Sequence, residues 1–236
     1  MITRVAVVPH PPLLVPALTV RADAETERLR GACLRAVSSL ADSSAEWVAV
    51  GVDPSGPIRF SSTTSGTFAG YGRDVRVSLG DPSLGDAAEP GTELPLPALI
   101  AGLLREQAGA RTVDVRLLAP GTPAEQCRDL GAELAGSDTA LLVLAEGSNR
   151  SDERSPHRPD HRARPLDELL ATALARVDAE VLMELDPALC AEVGVSREAL
   201  QVLPGVVAEG TWRGELLYSG TPFGVTYDVA TWTRDD

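Results

Sequence analysis

The sequence predicts an α/β fold: a single domain over residues 1–236, with a largely parallel central sheet flanked by helices and a C-terminal hairpin. Three observations carry that expectation. Short continuous apolar runs rich in Val recur along the chain, the mark of strands buried on both faces. Segments with helical spacing fall between several of these runs, and strands alternating with helices imply parallel pairing. The final apolar stretches are separated only by a Gly and Pro turn, which joins neighbours as a hairpin. With 236 residues, 44% of them hydrophobic, the chain has enough apolar mass for a sizeable core.

The elements follow in order. RVAVVP at residues 4–9 reads as a central first strand. Leu29, Ala32, Cys33, Ala36, Val37 and Leu40 recur at three- and four-residue spacing and line one face of a helix over residues 22–40. WVAVGV at 47–52 is a second buried strand, with further strands at 75–79, 113–118 and 140–145. Helical spacing marks 94–107. Thr122, Pro123 and Glu125 form a T-x-x-E capping box with Pro at the first helical position. Residues 147–165 are polar and aperiodic, hence a long loop. Helices then cover 166–177, 187–193 with Asp186 as cap, and a segment capped by Ser196 that Pro204 kinks or ends. Strands at 216–218 and 225–230, joined through Gly220 and Pro222, close the chain.

Composition narrows the function. All 21 basic residues are Arg, against 34 acidic ones, for a net charge of −13. The absence of Lys excludes Schiff-base, phosphate-loop and kinase-type lysine chemistry. The negative charge repels phosphate backbones and anionic lipid, so a small-molecule ligand is expected, not nucleic acid or membrane. The tail hairpin leaves pairing into a homo-oligomer open. Cys33, Cys127 and Cys190 lie far apart with no C-x-x-C pair, which fits a reducing cytoplasm and neither a disulfide framework nor a structural zinc. The opening residues are apolar but broken by Pro9, Pro11, Pro12 and Pro16, a poor signal sequence. No later run reaches the roughly 18 to 20 residues of a membrane span.

In an open α/β sheet, ligands collect beyond the carboxyl ends of the strands. His10 follows the first strand, held between Pro9 and the Pro11-Pro12 pair. Asp53 follows the second strand in GVDPSG, and LAEGSN offers Glu146, Ser148 and Asn149. Glu198 lies in the first turn of the helix after Ser196. An imidazole with one or two such carboxylates suits Fe(II), Mn(II) or Zn(II). Each also has an ordinary role: a turn histidine, an Asx turn ahead of Pro54, a carboxylate at a helix amino end. His157 and His161 are four apart, but Pro159 between them opposes helical pairing on one metal, and their Arg-rich segment reads as a solvated loop. Ser55 and Ser148 have no evident base partner, and no dinucleotide, phosphate-loop or nucleophile-elbow motif is present. No organic cofactor is expected.

With these residues in view, the sequence resembles the class III extradiol ring-cleavage dioxygenase superfamily, the catalytic B-subunit type related to protocatechuate 4,5-dioxygenase and to Memo-like proteins. The resemblance spans nearly the whole chain. It rests on RVAVVPHPPLLVP, EWVAVGVDPSG and TALLVLAEGSNRS, and on the tail from PLDELL through WRGELLYSGTPFGVTYDVATW. It implies a non-haem Fe(II) held by two histidines and a glutamate, a bidentate catechol, and a further histidine as acid/base. His10 matches the first metal histidine and Glu198, in REALQVLPGVVAEG, the metal glutamate. Asp53 stands where the second metal histidine would be, and Ser151 where the acid/base histidine would be, with His157 six residues on. The resemblance thus implies a degenerate metal site at His10, Asp53 and Glu198, acting on a small aromatic or oxygenated compound. Replacing a neutral donor by an anion lowers the site's charge and disfavours a catecholate dianion. The alternative is a non-catalytic relative that keeps the crevice for binding a small molecule or a protein.

Overall fold

In the computed structural model, which describes residues 1–19, 23–81 and 93–235, the first strand shows how the core is divided. In β1 (Arg4–Val8), Val5 and Val7 point to one side of the sheet and Ala6 and Val8 to the other, and all four are buried. A strand covered on both sides has no polar face, hence the unbroken apolar run. The same division holds in β2 (Glu46–Val52) and β7 (Ala140–Leu144).

Strands β3 (Ile58–Phe60), β6 (Thr112–Leu118), β8 (Thr211–Gly220) and β9 (Tyr227–Asp235) complete a seven-stranded sheet in the order β3-β6-β2-β7-β1-β9-β8. The four central strands β6, β2, β7 and β1 are parallel; β3 at one edge and the β9-β8 hairpin at the other are antiparallel. This is the expected sheet, with hairpin strands longer than the sequence suggested. Two short strands, β4 (Ser65–Thr67) and β5 (Arg76–Ser78), form a separate ribbon.

One face is covered by α1 (Ala24–Ser43) and α2 (Leu96–Ala108), whose apolar stripes meet Ala6, Val8, Ala49, Leu142 and Leu144. Asp23 caps α1 by accepting from the Thr26 amide at 2.8 Å; the expected start at Ala22 lies outside the described residues. The other face carries α3 (Ala124–Ala135), α4 (Ala163–Arg176), α5 (Ala179–Met183), α6 (Pro187–Val193), α7 (Arg197–Leu200) and α8 (Leu203–Val206). Asp186 caps α6 as expected, accepting from the Ala188 and Leu189 amides. Pro204 falls in the first turn of α8, four residues past the end of α7. The α3 and α8 backbones cross at Gly131 and Gly205. A Cβ on Gly131 would stand 2.0 Å from the Val202 carbonyl oxygen, and one on Gly205 1.9 Å from that of Arg128.

Two capping expectations fail. α3 begins at Ala124 with Pro123 outside it, and Thr122 Oγ1 donates to the Ala119 carbonyl at 2.6 Å instead of capping the helix. The turn before the helix offers that hydroxyl a nearer acceptor. Ser196 precedes α7, but its hydroxyl accepts from the Glu146 amide at 3.1 Å. Among the described residues no helix is long and apolar enough to cross a membrane.

Candidate functional site

The pairing registers place one row of polar groups at the carboxyl end of the sheet. Val8 is level with Leu144 in the β1-β7 pair, and Val7 with Ala230 in the β1-β9 pair. Continued by two and three residues, these registers bring His10 level with Glu146 and with Tyr227. Alternation puts all three on the α1 side, in line with Val8, Leu144 and Val229. The chain leaves β1 toward α1 on one face and β7 toward α4 on the other, so the strand ends diverge and open a crevice.

The contacts agree with this layout. The His10 amide donates to Glu146 Oε1 at 3.2 Å, while His10 Nδ1 lies 3.9 Å from the same oxygen, too far for a hydrogen bond. Nδ1 is buried and has no hydrogen-bond partner among the described residues. The His10 side chain is 13% exposed and that of Glu146 23%, so both are largely buried but reach solvent. Tyr227 is buried, and its phenol is pushed above its ordinary value, first by burial and then by the Glu146 charge, so it stays a protonated donor. Ser196 fastens Glu146 on both sides, its hydroxyl receiving the Glu146 amide and its own amide donating to the Glu146 carbonyl at 3.0 Å.

Beside this row sits a buried carboxylate hub. Asp167 of α4 accepts from the Ser148 amide at 2.8 Å and from the hydroxyls of Ser148, Ser151 and Thr226 at 2.6, 2.8 and 2.7 Å. The hub ties the loop after β7 to α4 and to the start of β9. Further along, the Ser155 hydroxyl donates to the Gly224 carbonyl and the Asp160 amide to that of Arg150, so the polar loop is stitched down. His157 and His161 are exposed on it. Asn149 holds the α6 end through a backbone bond to Val193.

The expected metal set of His10, Asp53 and Glu198 is not assembled. Asp53 Oδ1 accepts from the amide and hydroxyl of Ser55 at 2.9 and 2.6 Å, an Asx turn. Glu198 is buried in an ion pair with Arg197 at 2.9 Å and accepts from the Gly121 amide at 2.7 Å, so it closes the loop after β6 instead of facing His10. Arg197 is in turn held by Gln201 and the Thr122 carbonyl. A carboxylate so engaged is a poor fit for the glutamate ligand of an Fe(II) centre. Among the described residues no group of three or more His, Cys, Asp and Glu side chains is placed to hold a metal ion. Ser55 and Ser148 each bond a carboxylate, and among the described residues neither hydrogen-bonds a histidine.

Sequence reasoning singled out His10 and Glu146 but not Tyr227 or Asp167. Tyr227 opens a strand whose register decides its neighbours, and register is invisible until the strands pair. A groove of about 720 Å³ lies elsewhere, between β3, β6 and α3, and contains none of these residues. The crevice at His10 is therefore identified by its polar groups and not by its size.

No family model and no curated protein matches this chain. Among solved structures, it is similar to the uncharacterized protein JW3007 from Escherichia coli K12, with 15% identity and a TM-score of 0.57 over 98% of this chain and 99% of that one. At that identity the likeness concerns the fold alone, which the two chains share over nearly their whole length.

Proposed function

We propose that the protein is a member of the class III extradiol dioxygenase-like superfamily that binds a small hydroxylated aromatic or other oxygenated compound in the crevice at His10, Glu146 and Tyr227. The observation that carries this reading is the row itself: three groups of different hydrogen-bonding character, level on adjacent strands, each with capacity unused by the protein. Glu146 engages only Oε1, so a ligand hydroxyl can donate to its carboxylate. Tyr227 can donate to a ligand oxygen, and the His10 imidazole can accept or donate through its other ring nitrogen, Nε2, according to tautomer. The ion pairing of Glu198 and the turn role of Asp53 favour binding through these groups over the family's iron chemistry. A cytoplasmic location belongs to the same proposal, supported by three free, buried cysteines. So does the absence of nucleic acid and membrane among its partners, supported by the charge of −13.

A second reading, metal-dependent ring cleavage, is favoured by one observation. The β2-β7 register, continued from Val50 level with Val143, brings Asp53 level with Glu146 and so extends the row to a fourth strand. Elemental analysis of protein purified anaerobically separates the two, comparing the native chain with His10→Ala and Asp53→Ala. The binding reading expects no stoichiometric metal in any of the three. Stoichiometric Fe or Mn in the native chain, lost in both variants, would replace it by the second reading.

A further inference from the structure

Two arginines face each other at the edge of the sheet. Arg59 of β3 is directly opposite Arg116 of β6 in the antiparallel register, and like charges in that position destabilise a sheet. The juxtaposition stands out in a chain of net charge −13. Glu133 of α3 accepts from Arg116 at 2.7 Å and neutralises one of the two. Its carboxyl is held below the usual carboxylate range by that bond first, with the Arg59 charge contributing last. Arg59 makes no ion pair among the described residues.

Both arginines line the groove of about 720 Å³, a volume within the roughly 300–1,000 Å³ of small-molecule sites. Among the described residues no Asp or Glu lines it, and Leu118, Leu130 and Pro123 supply apolar walls. The groove exists because β6 alternates: Val113, Val115 and Leu117 fill the core on one side, while on the other Asp114 is exposed and Arg116 and Leu118 are only partly covered. α3 opens onto it at Pro123 without a side-chain cap on its first amides, so the positive end of the helix adds to the field of the arginines.

We propose that this groove is a binding site for a small amphipathic carboxylate, its carboxylate bridging Arg59 and Arg116 and its apolar body lying along Pro123, Leu118 and Leu130. One uncompensated positive charge matches a monoanion, and the planar fork of a guanidinium matches a carboxylate. The apolar walls distinguish such a ligand from a bare inorganic anion. Bound charge also relieves the repulsion between the two arginines. The site lies on the opposite face from the His10 row, with β2 and β7 between β6 and β1, so it stands or falls independently of the crevice.

Calorimetric titration of the full chain with octanoate tests this. Octanoate should bind at one site, with affinity lowered about tenfold or more in Arg59→Gln, the loss expected for one charge-assisted hydrogen bond. Arg73→Gln, an exposed charge change away from the groove, should leave the affinity unaltered. Octanol, lacking the carboxylate, and acetate, lacking the tail, should each bind at least about tenfold more weakly than octanoate. Leu130→Ala, at a partly exposed helix position on the groove, should weaken octanoate without unfolding the chain. Absence of octanoate binding at millimolar concentration, equal affinity in native protein and Arg59→Gln, or acetate binding as tightly as octanoate would overturn the proposal.

Discussion

Asp228 on β9 is buried, its Oδ1 makes no hydrogen bond, and Asp167 lies close enough to act on its charge. Burial, and secondarily Asp167, pushes its carboxyl from 3.8 to about 6, with the Ser219 hydroxyl opposing the shift. The folded protein therefore holds a proton that the unfolded chain releases, and stability contributed at low pH is lost as pH rises from about 4 to about 6. The loss at this site is about 2 to 3 kcal/mol. Urea midpoints measured at pH 4 and pH 7 should show Asp228→Asn gaining on the native chain as pH rises; an equal difference at both values would contradict the assignment. The thiols lie at the other extreme. Burial raises Cys33 to about 12 and Cys127 and Cys190 to about 11. An aromatic disulfide reagent at pH 8 should label none of them in the native protein and all three after unfolding. At this scale the sequence was legible in kind but not in partner. Asp53 before Pro54 and Glu198 in a first turn looked like ordinary structural carboxylates as well as ligands. Only Ser55, Gly121 and Arg197, set in place by the fold, decide for the structural roles.

Buried elements were readable because covering both faces of a parallel strand leaves no polar position, so β1, β2 and β7 announce themselves as unbroken apolar runs, whereas β6, open on one face, shows as alternation. The short strands β3, β4 and β5 carry too few residues for a period to show, although β5 fell inside one apolar stretch. The caps of α3 and α7 were misread for a physical reason: Thr122 and Ser196 had competing partners, a turn carbonyl and the end of β7. Glycines in helices carry opposite expectations at two sites. Gly31 of α1 has nothing within 4 Å of an added Cβ, so Gly31→Ala should stabilise the protein by about 0.5 to 1 kcal/mol through helix propensity. Gly205→Ala would drive a methyl into the Arg128 carbonyl at the α3-α8 crossing and should cost about 3 kcal/mol or more. Denaturant curves on the two variants check both signs. Asp167→Ala removes the only charged member of the Ser148, Ser151 and Thr226 hub. It should raise hydrogen exchange through residues 147–162 before the sheet loosens, whereas uniform exchange across the chain would mean that the hub is not a local anchor.

The whole molecule brings together what no segment contains. Residues 10, 146 and 227 become neighbours only because β7 inserts between β2 and β1 and β9 pairs on the outer side of β1. Periodicity identified the strands and the α/β class. It could not supply the register, and the register makes the row. The polar groove at Arg59 and Arg116 is likewise a product of pairing, since the two arginines are far apart in sequence. The central claim is that the crevice row, and not the dispersed set of His10, Asp53 and Glu198, receives the ligand. Calorimetric titration with catechol in the presence of a chelator tests it most directly, on the native chain, His10→Ala, Glu146→Gln, Tyr227→Phe and Asp53→Asn. The account predicts metal-independent binding that weakens about tenfold in each of the first three variants and is unchanged in Asp53→Asn. Catechol binding that vanishes with the chelator, or that is lost in Asp53→Asn while surviving in Glu146→Gln, would contradict it.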